Sequence, residues 1–315
     1  MVLRDKRRPV SDLIFIGNTV LLLSAVCISC VRAVQYIRAD FTDALGSWRN
    51  FYGVVRVRQF GISGSASSSY VLVHGITIHG IQYITPKMRD LPTAYYGSTS
   101  GVGLALLNHP KYGERMRVGG LGLGIGTISV YGQPGDEYRF YEINPQVIRL
   151  AQGEGGYFSY LRDSRATIDV IPGDARLSLE SELAAGQPQN YDVLVLDVFS
   201  SDSIPVHLLD AEAFELYLEH LAGDGILAIN ITNRYLDLVP VVWTLADHFH
   251  LSRVLIDDPG NSAEIYPSIW MLLSRDPALL ENPKILSRAT PMDHYASYIG
   301  LWTDNFSNLF QILQH

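Results

Sequence analysis

Five short apolar runs, RMRVGGLG, EYRFYEIN, ATIDVIPGD, YDVLVLD and GILAINIT, follow one another between residues 115 and 232, each parted from the next by a helical or loop stretch. Strands that alternate with helices can cover both faces of a sheet only if the sheet is parallel and the helices lie on either side. The pattern therefore predicts a doubly wound, Rossmann-like α/β domain. Two further runs, LSRVLIDD and SIWMLLS, are joined by a short connection containing Pro and Gly, which predicts a closing hairpin rather than another crossover. Ahead of the series, YGVVRVRQF and SSYVLVHGITIHG alternate in character with Gly61, Gly64 and Gly75 as turn signals, the pattern of a small antiparallel β unit. Between the two, TSGVGLALLNHP reads as a helix leading into the larger domain.

The N-terminus has a different character. Leu13–Val31 carries no charge, has about the length that a bilayer core requires, and follows Arg4, Lys6, Arg7 and Arg8. It is longer than most signal-peptide cores and runs into Arg32 without a small-x-small cleavage site, so a transmembrane helix is expected. Arg32, Arg38 and Arg49 follow on its far side, so basic residues flank both ends and the positive-inside rule does not fix the orientation; a membrane-anchored chain with its globular part in the cytoplasm is the expectation. The two cysteines, Cys27 and Cys30, both fall inside this apolar run, so they read as small lipid- or core-facing residues and no disulfide framework can be built. The expected organisation is a membrane segment and linker over 1–45, a small β domain over 46–95, a nucleoside-binding domain over 96–276 and a helical extension over 277–315. Tyr295, Tyr298, Leu301, Trp302, Phe306, Leu309 and Phe310 give that extension helix-like apolar spacing, suited to packing on the sheet or on a second subunit of a homodimer.

A net charge of −8 with scattered basic residues excludes a phosphate-tracking surface, so no nucleic-acid partner is expected. His74 with His79, and His248 with His250, lack a third ligand at a usual spacing and read as ordinary polar positions, so no metal site is expected. The informative stretch is GGLGLGIGT, residues 119–127, between the first strand of the parallel series and the helix expected after it. Glycine there lets a nucleoside approach bare backbone, and a helix N-terminus would present free amides. Glu142 ends the second strand, where a carboxylate can hold both hydroxyls of a ribose, and is also compatible with a solvated strand-end acid. Asp174, after the third strand, can meet an adenine amino group or simply make a Gly-Asp turn. NAD would satisfy the same loop and acid. The fourth strand ends in Asp197 and leads to Asp202; two carboxylates at the carboxyl edge of the sheet suit a cationic amine and can help take its proton. Asp202 is equally suited to cap the following helix.

From about Asn50 to Ser274 the chain resembles the spermidine synthases, or polyamine aminopropyltransferases, above all the spermidine-synthase-like domains fused behind a membrane region. The likeness rests on RNFYGVVRV, VHGITIHGIQ, PTAYYG, the GLGLGIGT loop, FYEINP, GDARLSLE, LVLDVFSSDSIPVHLL and SAEIYPSIW. It implies an N-terminal β domain and a class I S-adenosylmethionine-methyltransferase-like domain. By position, it implies Gly120, Gly122 and Gly124 along the chain of decarboxylated S-adenosylmethionine, Glu142 on its ribose and Asp174 at its adenine. Asp197 matches the catalytic aspartate, Tyr96 the tyrosine before the sheet domain, and Asp202, Tyr266 and Gln82 residues around the amine. The implied chemistry is attack by the neutral primary amine of a diamine such as putrescine on the carbon beside a sulfonium, without a metal. Three positions depart from the pattern: Ile125 stands where the glycine loop usually carries an acid, Gly97 follows the tyrosine in place of Gln or His, and Val198 and Phe199 interrupt the catalytic loop. Loss of the loop acid keeps ordinary S-adenosylmethionine in play, and with it methylation of another acceptor or a non-catalytic binding role.

Overall fold

The computed structural model of the 315-residue chain describes residues 10–42, 44–62, 64–65, 67–75, 77–198, 206–261, 264–292, 295 and 299–314. A helix, Val10–Thr42, comes first. Its span Ile14–Gln35 is long and apolar enough to cross a membrane, and none of it is buried against the rest of the protein. Leu21 and Phe15 are among its most exposed side chains, and Cys27 and Cys30 are free and exposed on it.

Strands β1 (Ala44–Asn50), β2 (Gly53–Phe60), β3 (Ser69–His74) and β4 (Thr77–Tyr83) make an antiparallel sheet in sequence order. The helix Gly101–Asn108 follows, with the Ser100 hydroxyl accepting the Gly103 amide as its N-cap. Then come β5 (Arg117–Leu121), β6 (Glu137–Glu142), β7 (Thr167–Pro172), β8 (Tyr191–Leu196), β9 (Leu221–Asn230), β10 (Ser252–Asp258) and β11 (Ser268–Ser274). They form one seven-stranded sheet in the order β10-β11-β9-β8-β5-β6-β7, in which β5 to β9 pair in parallel. The hairpin expected at the end is present, but it folds inward: β11 pairs antiparallel with both β10 and β9 and so sits between them. β1 joins the expected strands, β7 at the sheet edge is exposed at Thr167 and Asp169, and the central strand β8 is buried on both faces.

That two-sidedness divides the core. Val193 and Val195 of β8, Ile226 and Ala228 of β9, and Trp270 and Leu272 of β11 face one side, where they join the helix Gly101–Asn108 and the β-unit residues Val55, Val57 and Leu72. Leu194 and Leu196, Leu227 and Ile229, and Met271 and Leu273 face the other, against Phe214 and Tyr217 of helix Ala211–His220 and Val242 and Leu245 of helix Val239–His248. The small sheet thus shares a core with the large one, which fixes it over the carboxyl ends of β5 and β6.

Two local expectations are corrected. The glycine loop is followed not by an α-helix but by a five-residue 3-10 turn, Thr127–Tyr131, entered through Gly126 at φ 79°. No continuous helix spans the described part of 277–315: Pro277 and Pro283 each open a four-residue helix capped by Asp276 and Asn282, and Leu309–Ile312 is a single 3-10 turn. Trp302 and Ile312 are buried beside the second core layer, whereas Phe306, Leu309 and Phe310 are exposed.

Candidate active site

Two cavities open at the carboxyl end of the parallel strands, of about 300 and about 580 Å³. The first is walled by Gly122, Leu123 and Gly124 of the loop after β5, by Glu142 and Asn144 after β6, by Asp174 after β7, by Asp197 after β8, and by Tyr52 and His74 of the small sheet. The second is walled by Tyr95, Tyr96, Asn230, Thr232, Arg234 and Tyr266, and again by Asp197.

The glycine loop is shaped by what the chain itself brings close. Gly122 has φ +91°, and a Cβ there would lie 2.1 Å from the Asp197 carbonyl oxygen. Its amide donates to the Tyr141 carbonyl at 2.9 Å. Gly124 has φ +54°, and its Cβ would lie 2.7 Å from the His79 carbonyl oxygen. Any side chain would push β8 or β4 out of place as well as strain the backbone. Gly120 does not share this role. It lies inside β5, lines neither cavity, and a Cβ there would strike the Phe140 ring at 2.6 Å, so it is a core-packing glycine.

Glu142 is held rigidly at the cavity wall. Its Oε2 accepts the Leu123 amide at 3.1 Å and its Oε1 accepts the Asn144 amide at 2.8 Å. Burial raises its pKa above the usual carboxylate value, opposed by those amides. Each oxygen keeps a lone pair for a ligand hydroxyl. Asp174 is on the same wall, where Oδ1 caps helix Ala175–Ala184 through the Leu177 amide at 3.0 Å and Oδ2 stands 3.4 Å from His207 Nε2. Three carboxylates line this cavity with neither Lys nor Arg among the described lining residues. A dinucleotide's pyrophosphate finds no cation there and no α-helix N-terminus after the loop.

Asp197 is where the cavities meet. Asp197 Oδ2 accepts a short hydrogen bond from the Tyr96 hydroxyl and Oδ1 accepts the Asn230 amide at 3.0 Å. Its own amide donates to Leu121 at 2.9 Å, which locks its backbone to β5. Burial raises the Asp197 pKa, with the Tyr96 and Asn230 bonds pulling the other way. Burial and then the Asp197 charge hold the Tyr96 phenol well above its ordinary range, so Tyr96 donates and stays protonated. Tyr96 is fixed in turn by the Tyr131 hydroxyl, which donates to its carbonyl at 2.5 Å, and by an edge contact with Trp270. Tyr266 lies across the second cavity with its ring 5.9 Å from that of Tyr95.

Of the residues expected around the amine, one is placed elsewhere. Gln82 lines neither cavity. It is buried with its amide nitrogen donating to Ser159 Oγ at 3.0 Å and the Arg89 carbonyl at 3.2 Å, while its oxygen accepts the Ser159 amide at 2.8 Å. It fastens β4 to the loop before helix Tyr160–Asp163, away from both cavities. Asp202 lies outside the described residues. The structure adds Tyr52, His74, His79, Asn144, Asn230, Thr232 and Arg234 to the walls. Of these, Asn230 was findable, because it ends a parallel strand at the ligand-binding edge; the β-unit residues carry no such positional signal. Ile125, in place of the expected loop acid, is buried and lines neither cavity; a Cβ on Gly80 would lie 2.4 Å from its side chain. Outside both cavities, Asp210, Glu212 and Asp304 approach metal-ligand spacing, but the Arg176 guanidinium bonds both aspartates.

No family model matches the chain. A polyamine aminopropyltransferase of Vibrio vulnificus is 29% identical over 163 residues, 51% of this chain and 51% of that protein. A probable polyamine aminopropyl transferase of Bifidobacterium longum is 25% identical over 210 residues, 65% of this chain and 41% of that protein. An N-terminal histidine N-methyltransferase of Emericella nidulans is 30% identical over 151 residues, 47% of this chain and 26% of that protein. The chain therefore spans about half the length of these relatives, or less. Among solved structures, a probable spermidine synthase from Corynebacterium glutamicum matches at a TM-score of 0.52 and 20% identity, over 78% of this chain and 89% of that one, a likeness of fold.

Proposed function

We propose that this chain belongs to the spermidine synthase family and is a transferase that moves an aminopropyl group from decarboxylated S-adenosylmethionine to a diamine such as putrescine, a reading its sequence relatives and its fold support. The observation that carries the reading is the position of Asp197: it borders both cavities, and Glu142 stands on the wall of the first. A donor nucleoside in the first cavity and an amine in the second would meet at that carboxylate.

The residues fit such a donor. Glu142, pinned by two amides, is placed to hold ribose hydroxyls, Asp174 to meet the adenine, and Gly122 and Gly124 to leave the donor room against bare backbone. The acidic lining suits a cation and the sulfonium supplies its own leaving group. Asp197 takes a proton from the incoming ammonium, and its raised pKa brings it nearer the working pH than an ordinary carboxylate. Tyr96 and Asn230 keep both its oxygens oriented. Tyr266 and Tyr95 give the amine's methylene chain an aromatic wall.

A second reading has its own support. Ile125 takes the position of the loop acid that the resemblance implies, leaving the donor's amine without that carboxylate, and one relative is a methyltransferase. In it the same cavities bind ordinary S-adenosylmethionine and the group transferred is methyl. The experiment that separates the two is incubation of the full chain with putrescine and each donor. Methylthioadenosine release that requires both the amine and Asp197 supports aminopropyl transfer; its absence, with S-adenosylhomocysteine formed instead, replaces it with the second reading. The apolar span Ile14–Gln35 supports a membrane anchor for this enzyme.

A further inference from the structure

Among the described residues, Asp197 shares the junction of the two cavities with one other, His79. The strand ladder puts it there. β3 pairs Leu72 with Gly80 and Val73 with Ile78, so His79 is the extra residue of a β-bulge. A bulge re-aims a side chain that regular pairing would leave on one face of the sheet. The bulge is locked from behind, because Gly80 has φ +157° and Ile125 fills the space where its Cβ would be.

The imidazole so placed is unfinished. His79 Nε2 is shielded from solvent and has no hydrogen-bond partner among the described residues. A buried polar atom in that state costs stability and asks for a partner that arrives from outside. His74, its neighbour at 5.6 Å between rings, is already engaged with the Tyr52 carbonyl. Burial, reinforced by His74, lowers the His79 pKa to about 4, so the ring is neutral at physiological pH. Neutrality matters at this point, since an imidazolium would repel both a sulfonium and an ammonium.

We propose that His79 is a second catalytic residue of the transfer, whose Nε2 accepts a hydrogen bond from the attacking nitrogen of the acceptor amine while Asp197 faces it from the other side. The inference rests on the aminopropyl-transfer reading. The acceptor's ammonium gives one proton to Asp197, and the freed lone pair forms a bond to the methylene carbon beside the sulfonium. The carbon–sulfur bond breaks with its electron pair passing to sulfur, which leaves as a neutral thioether, and the new nitrogen remains as a secondary ammonium. Asp197 later returns its proton to water. His79 changes no protonation state: as the Nδ1–H tautomer it holds one N–H of the amine, leaving the lone pair to point at carbon.

The test uses the full chain with putrescine and methylthioadenosine as probes. His79→Ala is expected to raise KM for putrescine about tenfold or more, one hydrogen bond's worth, while the Kd for methylthioadenosine stays within about twofold. His79→Gln, which keeps an acceptor oxygen, is expected to recover part of the loss. Independently of turnover, the His79 Nε2 resonance of the unmutated chain saturated with methylthioadenosine is expected to shift when putrescine is added. An unmoved resonance, an unchanged KM in His79→Ala, or a parallel loss of methylthioadenosine affinity overturns the assignment to the amine. If the unmutated chain turns over normally in those cases, the aminopropyl-transfer reading survives; if it binds no nucleoside at all, both fall together.

Discussion

Tyr96 and Asp197 are 101 residues apart in sequence and joined by a short hydrogen bond from the phenol to the carboxylate. In the mechanism proposed, Asp197 works as the carboxylate. Its pKa is raised by burial, so the amine-dependent rate is expected to climb with pH along an acid limb lying above the ordinary aspartate value of about 3.9. The Tyr96 bond lowers that pKa. Tyr96→Phe is therefore expected to move the limb to higher pH and to reduce kcat/KM by about 10- to 100-fold, read from pH–rate profiles of methylthioadenosine release. Asp197→Asn, which removes the base, is expected to cost about 10²–10⁴-fold in kcat.

Glu142 offers both oxygens to the first cavity from a fixed position. Glu142→Gln replaces one acceptor by a donor that faces a backbone N–H. We expect methylthioadenosine affinity to fall by about 10- to 100-fold, measured by titration calorimetry, with little change in KM for the amine at saturating donor.

Gly122 and Gly223 form a matched pair. An alanine at 122 needs a left-handed backbone and collides with the Asp197 carbonyl, whereas a Cβ at 223 meets nothing within 4 Å and its backbone needs no positive φ. Gly122→Ala is expected to lower Tm by several degrees and to abolish nucleoside binding. Gly223→Ala is expected to leave both within error.

Gln82→Leu distinguishes a fastener from a ligand-binding group. Its three bonds tie β4 to Ser159 and Arg89, so the substitution is expected to destabilise the fold by about 1–3 kcal/mol in urea melts while nucleoside and amine affinities of the folded fraction hold.

The apolar helix can be tested directly. The full chain is expected in the carbonate-resistant membrane pellet, and Leu22→Arg, at a fully apolar stretch, is expected to shift a substantial share to the supernatant.

Much of this arrangement is legible in the sequence for one physical reason: parallel strands buried on both faces, such as Tyr191–Leu196, must be apolar throughout, so their ends stand out. Glu142 and Asp197 follow from those ends, because open sheets bind ligands at their carboxyl edge. What depends on distant pairing stays hidden. Gln82 looks like a site residue until Ser159, 77 positions away, is seen to take its amide. Gly120 and Gly122 are alike in sequence, yet one packs on Phe140 and the other on the Asp197 backbone. His79 belongs to an alternating strand on paper, and the single skipped pairing at its position, on the wall of both cavities, leaves no mark in the residue pattern. The 277–315 spacing suggests a helix because apolar residues recur at suitable intervals, but its prolines restart the chain instead.

The inward fold of β11 also sets an order of events during synthesis. Asn230, which orients Asp197, pairs across the ladder with Trp270, and Trp270 in turn supports the ring of Tyr96. Until Ser274 has left the ribosome, β9 has a bare edge and the carboxylate has no settled geometry. A nascent or prematurely terminated chain can thus carry every residue named as reactive and still be inert, and its open strand edge marks it for quality control.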